Sequence, residues 1–203
     1  MGMATDITFE GATTSTTTTV TLPAHQAGDL IVIAAMRSSA TAASVPAGWT
    51  DLGSRSQSVL SIRAGYRVAT SAAETSGTWT NASRLHARVY RLPGALAASP
   101  TAAFNSGTGT ATAFADLAVA TASRIAFVRA AMASSDSYGT APTGWDNLES
   151  NQYARSLDAL NTGTTANGVG GNAFSASNAY WASVTIGFSS DAPTSSGDFF
   201  AFF

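Results

Sequence analysis

Short apolar runs alternate along this chain with stretches of Thr, Ser, Ala and Gly, and their spacing predicts strands throughout. Asp29–Met36 and Ile125–Met132 are brief apolar runs that follow turn-like residues, the pattern of buried strands. From Val59 to Val68, Leu60, Ile62, Ala64, Tyr66 and Val68 alternate with Ser61, Arg63, Gly65 and Arg67, which is a strand with one face in and one face out. Arg84–Leu92 alternates likewise. Leu85, Ala87 and Val89 read as its inward face; Arg84, His86, Arg88 and Tyr90 read as its outward face. Tyr180–Phe188 is the matching strand further on, with Ala182 and Val184 aligned to Ala87 and Val89 after a one-residue slip. Thr13–Leu22 and Ala111–Val119 supply leading strands. Turn residues at regular intervals between short strands predict an all-β, antiparallel, jelly-roll-like β-sandwich.

The two sets of strands are related. Shifted by 96 positions, Val32, Ala34, Ala35, Met36, Ser38 and Ser39 fall on Val128, Ala130, Ala131, Met132, Ser134 and Ser135. In the same register Pro46, Gly48, Trp49, Leu52 and Ser54 fall on Pro142, Gly144, Trp145, Leu148 and Ser150. Ala and Ser matches come cheaply in this composition, but Met, Pro, Gly, Trp and Leu in one register do not. The period is too long for a solenoid, where repeats run roughly 20–50 residues, so the chain holds two copies of one module. Each Pro-x-Gly-Trp segment predicts a turn whose Gly accepts a positive φ and whose Trp (Trp49 or Trp145) returns to the core. Neither copy is much larger than a minimal domain, so one core shared by two halves is expected rather than two separate cores. The expected limits are an N-terminal arm over 1–12, a sandwich over 13–188 with halves near 13–92 and 110–188, and a linker with an aromatic tail over 189–203.

Composition supports small, closely packed sheets. Ala, Ser and Thr fill roughly 45% of the chain, and charged residues only 11% against a usual value of about 25%. A formal net charge of -2 leaves no electrostatic case for nucleic acid. No run approaches the length of a membrane span, and the first residues lack a basic segment followed by an apolar one, so synthesis in the cytoplasm without a signal peptide is expected.

Candidate chemistry is sparse. All ten basic residues are arginine, and without lysine the P-loop, the Schiff base and the Ser-x-x-Lys nucleophile are excluded. With no cysteine and two separated histidines, His25 and His86, neither a zinc site nor any cofactor is expected. Gly168-Val-Gly170-Gly171 lacks a phosphate-binding context and reads as a loop. Glu10, Glu74 and Glu149 are the glutamates left for glycosidase-type chemistry, and none stands in a recognisable setting. Asp146 and Glu149, beside the second Pro-x-Gly-Trp turn, match no calcium loop. Arg63 and Arg67 share one strand face and Arg84 and Arg88 another, so neighbouring strands would join them into a basic patch for an acidic partner, or for sugars beside Tyr90. Phe199, Phe200, Phe202 and Phe203 follow a Ser, Pro and Gly-rich linker and form an apolar cluster suited to docking on a partner.

Three segments resemble virion structural proteins of tailed bacteriophages: Ala27-Gly-Asp-Leu-Ile-Val32, Val45-Pro-Ala-Gly-Trp-Thr50 and Ala64-Gly-Tyr-Arg-Val-Ala69. They resemble that family's strand, Pro-x-Gly-Trp turn and second strand, and the segment from Tyr180 is similar to its closing strand. The resemblance covers most of the first half and weakly the second. It implies a β-sandwich at the virion surface, either a capsid decoration (cement) protein on major capsid subunits or a tail or fibre module binding receptors or carbohydrate. It carries over no catalytic residue, and it implies assembly with other virion subunits or as a homo-oligomer such as a trimer.

Overall fold

The computed structural model describes residues 6–120, 124–135, 141–170 and 173–192, with 174–179 in backbone alone. Two antiparallel five-stranded sheets pack face to face. The first half forms β1 (Thr8–Ser15), β2 (Leu30–Arg37), β3 (Thr50–Gln57), β4 (Leu60–Val68) and β5 (Arg84–Arg91). The second half forms β6 (Thr101–Ala113), β7 (Arg124–Ala133), β8 (Asp146–Asn151), β9 (Ala154–Leu160) and β10 (Ala173–Ser190). The strand orders are β1-β5-β2-β4-β3 and β6-β10-β7-β9-β8, so each half builds one whole sheet and the two topologies coincide.

Between the sheets the same symmetry holds. β3 lies over β6 and β4 over β10, while β1 lies over β8 and β5 over β9, the arrangement of an isologous dimer carried on one chain. The shared core comes from alternate residues of the central strands: Leu30, Val32, Ala34 and Met36 of β2 face Ala126, Val128, Ala130 and Met132 of β7, with Ile62, Ala64, Val184 and Ile186 beside them. Small residues let the backbones approach, and the expected core shared by the two halves is observed.

Each sheet is also covered on its other face. Ile31, Ile33, Leu85, Ala87 and Val89 are buried under a layer of loops that contributes Val20, Ala43, Trp49 and Trp79. Phe127, Leu157 and Ala159 are buried in the same way under Phe114, Trp145 and Ala166. Trp49 and Trp145 therefore return to these outer clusters and not to the shared core. Their turns are equivalent: Trp49 N–H donates to Pro46 O at 3.3 Å and Trp145 N–H to Pro142 O at 3.2 Å, with Gly48 at φ 81° and Gly144 at φ 87°. The edge of Trp79 closes over Trp49 at 5.6 Å and sits where a side chain on Gly65 would be, 2.8 Å from its ideal Cβ.

Double coverage corrects one sequence expectation. The alternation of β5 is as expected, but its faces are exchanged: Arg84, His86, Arg88 and Tyr90 point between the sheets and Leu85, Ala87 and Val89 point to the outer layer. β10 is also registered differently. Pairing with β2 and β7 places Ala182, Val184, Ile186 and Phe188 where Arg84, His86, Arg88 and Tyr90 stand, so Ala182 and Val184 match the opposite face from Ala87 and Val89. Several bounds move too. The leading strands expected over Thr13–Leu22 and Ala111–Val119 lie earlier: β1 runs Thr8–Ser15, starting in the expected arm, and β6 runs Thr101–Ala113, starting between the two expected halves. Ser189 and Ser190, expected in the linker, are buried at the end of β10. β3, β8 and β9 lack a clear apolar alternation and were not foreseen.

The two turns allow a matched test. A Cβ on Gly48 meets nothing closer than Arg67 at 3.9 Å, whereas one on Gly144 lies 2.5 Å from the Val169 carbonyl. Gly48→Ala should cost about 1 kcal/mol from backbone strain alone. Gly144→Ala should cost roughly 3 kcal/mol or more, because a backbone group must move. Urea unfolding of both variants reads the difference; equal losses would contradict it.

Candidate functional site

Polar side chains collect at one place, the seam where β5 crosses β9. Arg88 Nη2 and Asp158 Oδ2 lie 2.7 Å apart, with side chains 1% and 0% exposed. Tyr90 Oη donates to the same Asp158 oxygen at 3.0 Å and accepts from Arg88 Nε at 2.8 Å. Asn147 Nδ2 donates to Asp158 Oδ1 at 2.8 Å, and Arg88 also reaches the Asn147 carbonyl at 2.9 Å. Arg88 Nη1 donates to Ser156 Oγ at 3.0 Å, and His86 Nδ1 lies 3.0 Å from the same hydroxyl. Phe9 lies under the guanidinium at 4.9 Å. At the near end Arg84 bonds Gln152 at 2.8 Å and stacks on Tyr153 at 5.0 Å.

Burial sets the protonation states. It pushes the Tyr90 phenol well above its ordinary value, with Arg88 opposing the rise. Burial alone would weaken the charge on Arg88, but Tyr90 and Asp158 outweigh it and hold the guanidinium protonated. His86 is pushed down to about 3 by burial first and then by the charges of Arg88, Arg155 and Arg84, so it is neutral. Ser156 Oγ is thus shared between Arg88 Nη1 and His86 Nδ1, and His86 Nε2 is buried without a hydrogen-bond partner among the described residues.

A serine beside a histidine and near an aspartate resembles a nucleophile arrangement, but the bonding runs otherwise. Asp158 is bound by Arg88, Tyr90 and Asn147 and orients no imidazole nitrogen. Ser156 and His86 are each 1% exposed, so no substrate atom reaches the hydroxyl in this packed state. The geometry suits a clamp between sheets.

The other expected site residues are dispersed. Arg63 and Arg67 lie on the outer face of β4, where Arg63 pairs with Asp51 at 3.0 Å and Arg67 with Glu74 at 2.7 Å. Arg84 and Arg88 lie on the inner face of β5, and β2 separates β4 from β5, so the basic patch of four does not form. Tyr90, expected to stack on sugars, is fully buried. Glu10 pairs with Arg91 at 2.9 Å; Glu149 sits with Asp146 on β8. Among the described residues no group of three or more His, Asp or Glu side chains is close enough to hold a metal ion. Phe199, Phe200, Phe202 and Phe203 lie outside the described residues.

A groove of about 630 Å³ runs between residues 19–25 and 72–78. His25 fastens it: Nδ1 donates to Pro23 O at 2.7 Å and Nε2 accepts from Glu74 N–H at 3.1 Å. Thr70 bonds Glu74 through both its backbone and hydroxyl, and with Arg67 these bonds hold the carboxyl below its ordinary value. The second outer layer has its own buried cation, Arg129, held at 4.2 Å over Trp145 and 4.9 Å over Phe114 and bonded to Asn167 at 2.9 Å. Burial lowers it to about 10, and Asp116 opposes that fall. Sequence reasoning missed Asp158, Ser156 and Arg129. The only trace of the first two is the alternation of Ala154, Ser156 and Asp158 with Arg155, Leu157 and Ala159, which puts a carboxylate on the inward face.

Comparison of the chain with protein-family models, with curated proteins and with solved structures finds no match.

Two measurements probe the seam. Arg88→Met or Asp158→Leu alone should cost about 3–5 kcal/mol, since each strands a buried charge. The double variant should cost clearly less than the sum, and additive losses would contradict the pairing. The second uses pH. An unfolded histidine titrates near 6.5, whereas folded His86 titrates at about 3. Between those values the unfolded chain binds a proton that the folded chain refuses. Stability should therefore fall as pH drops through that window, by up to about 1.4 kcal/mol per pH unit. His86→Leu should remove that share of the slope in urea unfolding at successive pH values, and an unchanged slope would show that His86 is not the group responsible.

Proposed function

We propose that this chain is a structural subunit of a tailed-bacteriophage particle, a capsid decoration protein that bridges major capsid subunits at the virion surface. The observation that carries the reading is the work of the residues in the resembling segments, which is framework throughout. Asp29 is buried, caps the turn at Gln26 N–H and receives both Nε and Nη2 of Arg91 at 3.1 Å. Gly48 and Trp49 form the turn that roofs the first outer cluster. Tyr66 packs against the shared core, Arg67 reaches Glu74, and Ala69 N–H donates to Asp29 O at 2.8 Å. A doubly covered sandwich with sparse surface charge also fits a rigid module set on a large lattice.

The alternative of a glycan-binding tail module would draw on exposed aromatics beside arginine. Among the described residues Tyr180 is the large aromatic exposed beyond a third, and Arg88 and Tyr90 are spent in the core. The decoration reading is therefore preferred.

Co-sedimentation of the purified protein with capsids lacking it should show saturable binding. Deletion of Phe199–Phe203 should abolish that binding while the melting temperature is retained. Full occupancy by the truncated chain would overturn the role given to the aromatic tail, and no binding by the full chain would overturn the decoration reading itself.

A further inference from the structure

Four strands form the edges of the two sheets, and three of them are closed to further pairing. β1 carries Glu10 and a register break between Phe9 and Gly11; β3 carries Asp51 and Arg55 with a break between Asp51 and Gly53; β8 carries Asp146 and Glu149 with a break between those residues. Charge and bulges on an edge are the usual means of preventing strand addition. β6 differs. It is the longest edge at 13 residues, has neither charge nor proline, and pairs with β10 in unbroken register from Thr101 to Gly109; the break beyond, at Gly109/Ala111, places its extra residues on β10 and not on the edge strand. Its counterpart by symmetry is β1, which is closed, so among the described residues the open edge belongs to the second half alone.

The direction of its free groups is visible at Ser106, whose backbone N–H is taken by the Asn105 side chain at 2.9 Å instead of by β10. In an antiparallel ladder alternate residues turn both backbone groups to the same side, so Ala102, Phe104 and Thr108 share that open edge. The strand's side chains point away from it. Phe104 packs over Gly53, Ser106 accepts from Arg55 at 2.9 Å, and Gly107 lies under Trp181.

We propose that β6 is a strand-pairing surface whose occupant is β6 of a second copy of this chain, joining two sheets into one of ten strands across a twofold axis. Two properties select this occupant over an unrelated peptide. Antiparallel self-pairing about a twofold axis brings a charge near the centre of the strand close to its own copy, and β6 carries no charge. Strand addition also draws specificity from side-chain pockets along the edge, and the Asn-Ser-Gly-Thr-Gly centre of β6 offers none with which to select a foreign sequence. An edge without selectivity fits best a strand as small and neutral as itself. This inference goes beyond the virion reading and does not depend on it.

Sedimentation equilibrium at micromolar concentration is the test. The wild-type chain should show twice its 20.6 kDa mass. Thr108→Pro removes an outward N–H without touching the β10 ladder, and Asn105→Lys adds the missing charge; each should give single-chain mass while still unfolding cooperatively, with a melting temperature that no longer depends on concentration. If Thr108→Pro disturbs folding, Asn105→Lys alone decides. A single-chain mass for the wild type, or a dimer that survives both variants, overturns the proposal. A monomeric wild type that binds capsids but loses binding with Thr108→Pro would assign the edge to a virion subunit instead, overturning the second copy as occupant while the decoration reading stands.

Discussion

The ion pair of Arg88 with Asp158 decides which sheet this protein's sheets accept as a partner. Two halves of like topology face a problem that an ordinary sandwich does not: each sheet resembles its partner closely enough to pack against a copy of itself. Position by position, a first-half sheet packed on its own copy would set Arg88 against Tyr66 in place of Asp158, and His86 against Ala64 in place of Ser156. A second-half sheet packed on itself would bury Asp158 against Ile186. Either error strands a buried charge at a cost of about 3–5 kcal/mol, a large share of a domain's stability. The pair need add little net stability to make the pairing of unlike halves the only acceptable one.

The polar seam exists once, although symmetry provides two places for it. At the equivalent crossing of β10 over β4 the residues are Ala182, Val184, Ile186 and Phe188 against Ile62, Ala64 and Tyr66. One seam is apolar and supplies burial; the other is polar and supplies identity. Tyr90 links them, its ring 5.0 Å from Phe188 and its hydroxyl on Asp158.

Much of the architecture was legible because period two survives in β4 and β5, because β2 and β7 are short apolar runs, and because Met, Pro, Gly and Trp repeat in one register. The direction of the faces was not legible. Alternation separates two faces without saying which is buried, and the usual rule that the polar face meets water fails when loops bury the other face too. In β5 both faces are inside, so Arg84, His86 and Arg88 read as surface residues and are core residues. β8 and β9 escaped for a related reason. Asp146, Asn147, Glu149 and Asp158 lower their apolar content, yet Asn147 and Asp158 are needed at the seam. The Pro-x-Gly-Trp turns could be read from their neighbours in sequence; the capping role of Asp29 and the pairing of Arg88 with a residue 70 positions away could not.

The symmetry also fixes where the chain enters and leaves. β1 starts opposite Arg91, β10 ends beside Ala95, and Asp6 reaches Arg124 at 3.4 Å, so residues 6 and 192 leave from the same pole. The hairpin turns at Ser58 and Gln152 occupy the other. Tension between chain attached before residue 6 and chain attached after residue 192 meets the sheets end-on. At β1, an edge strand, such a pull breaks the single ladder to β5 bond by bond, whereas β10 lies between β6 and β7 and must give up two ladders at once. As a mechanical object the sandwich is asymmetric, a zip at one tether and a double seam at the other.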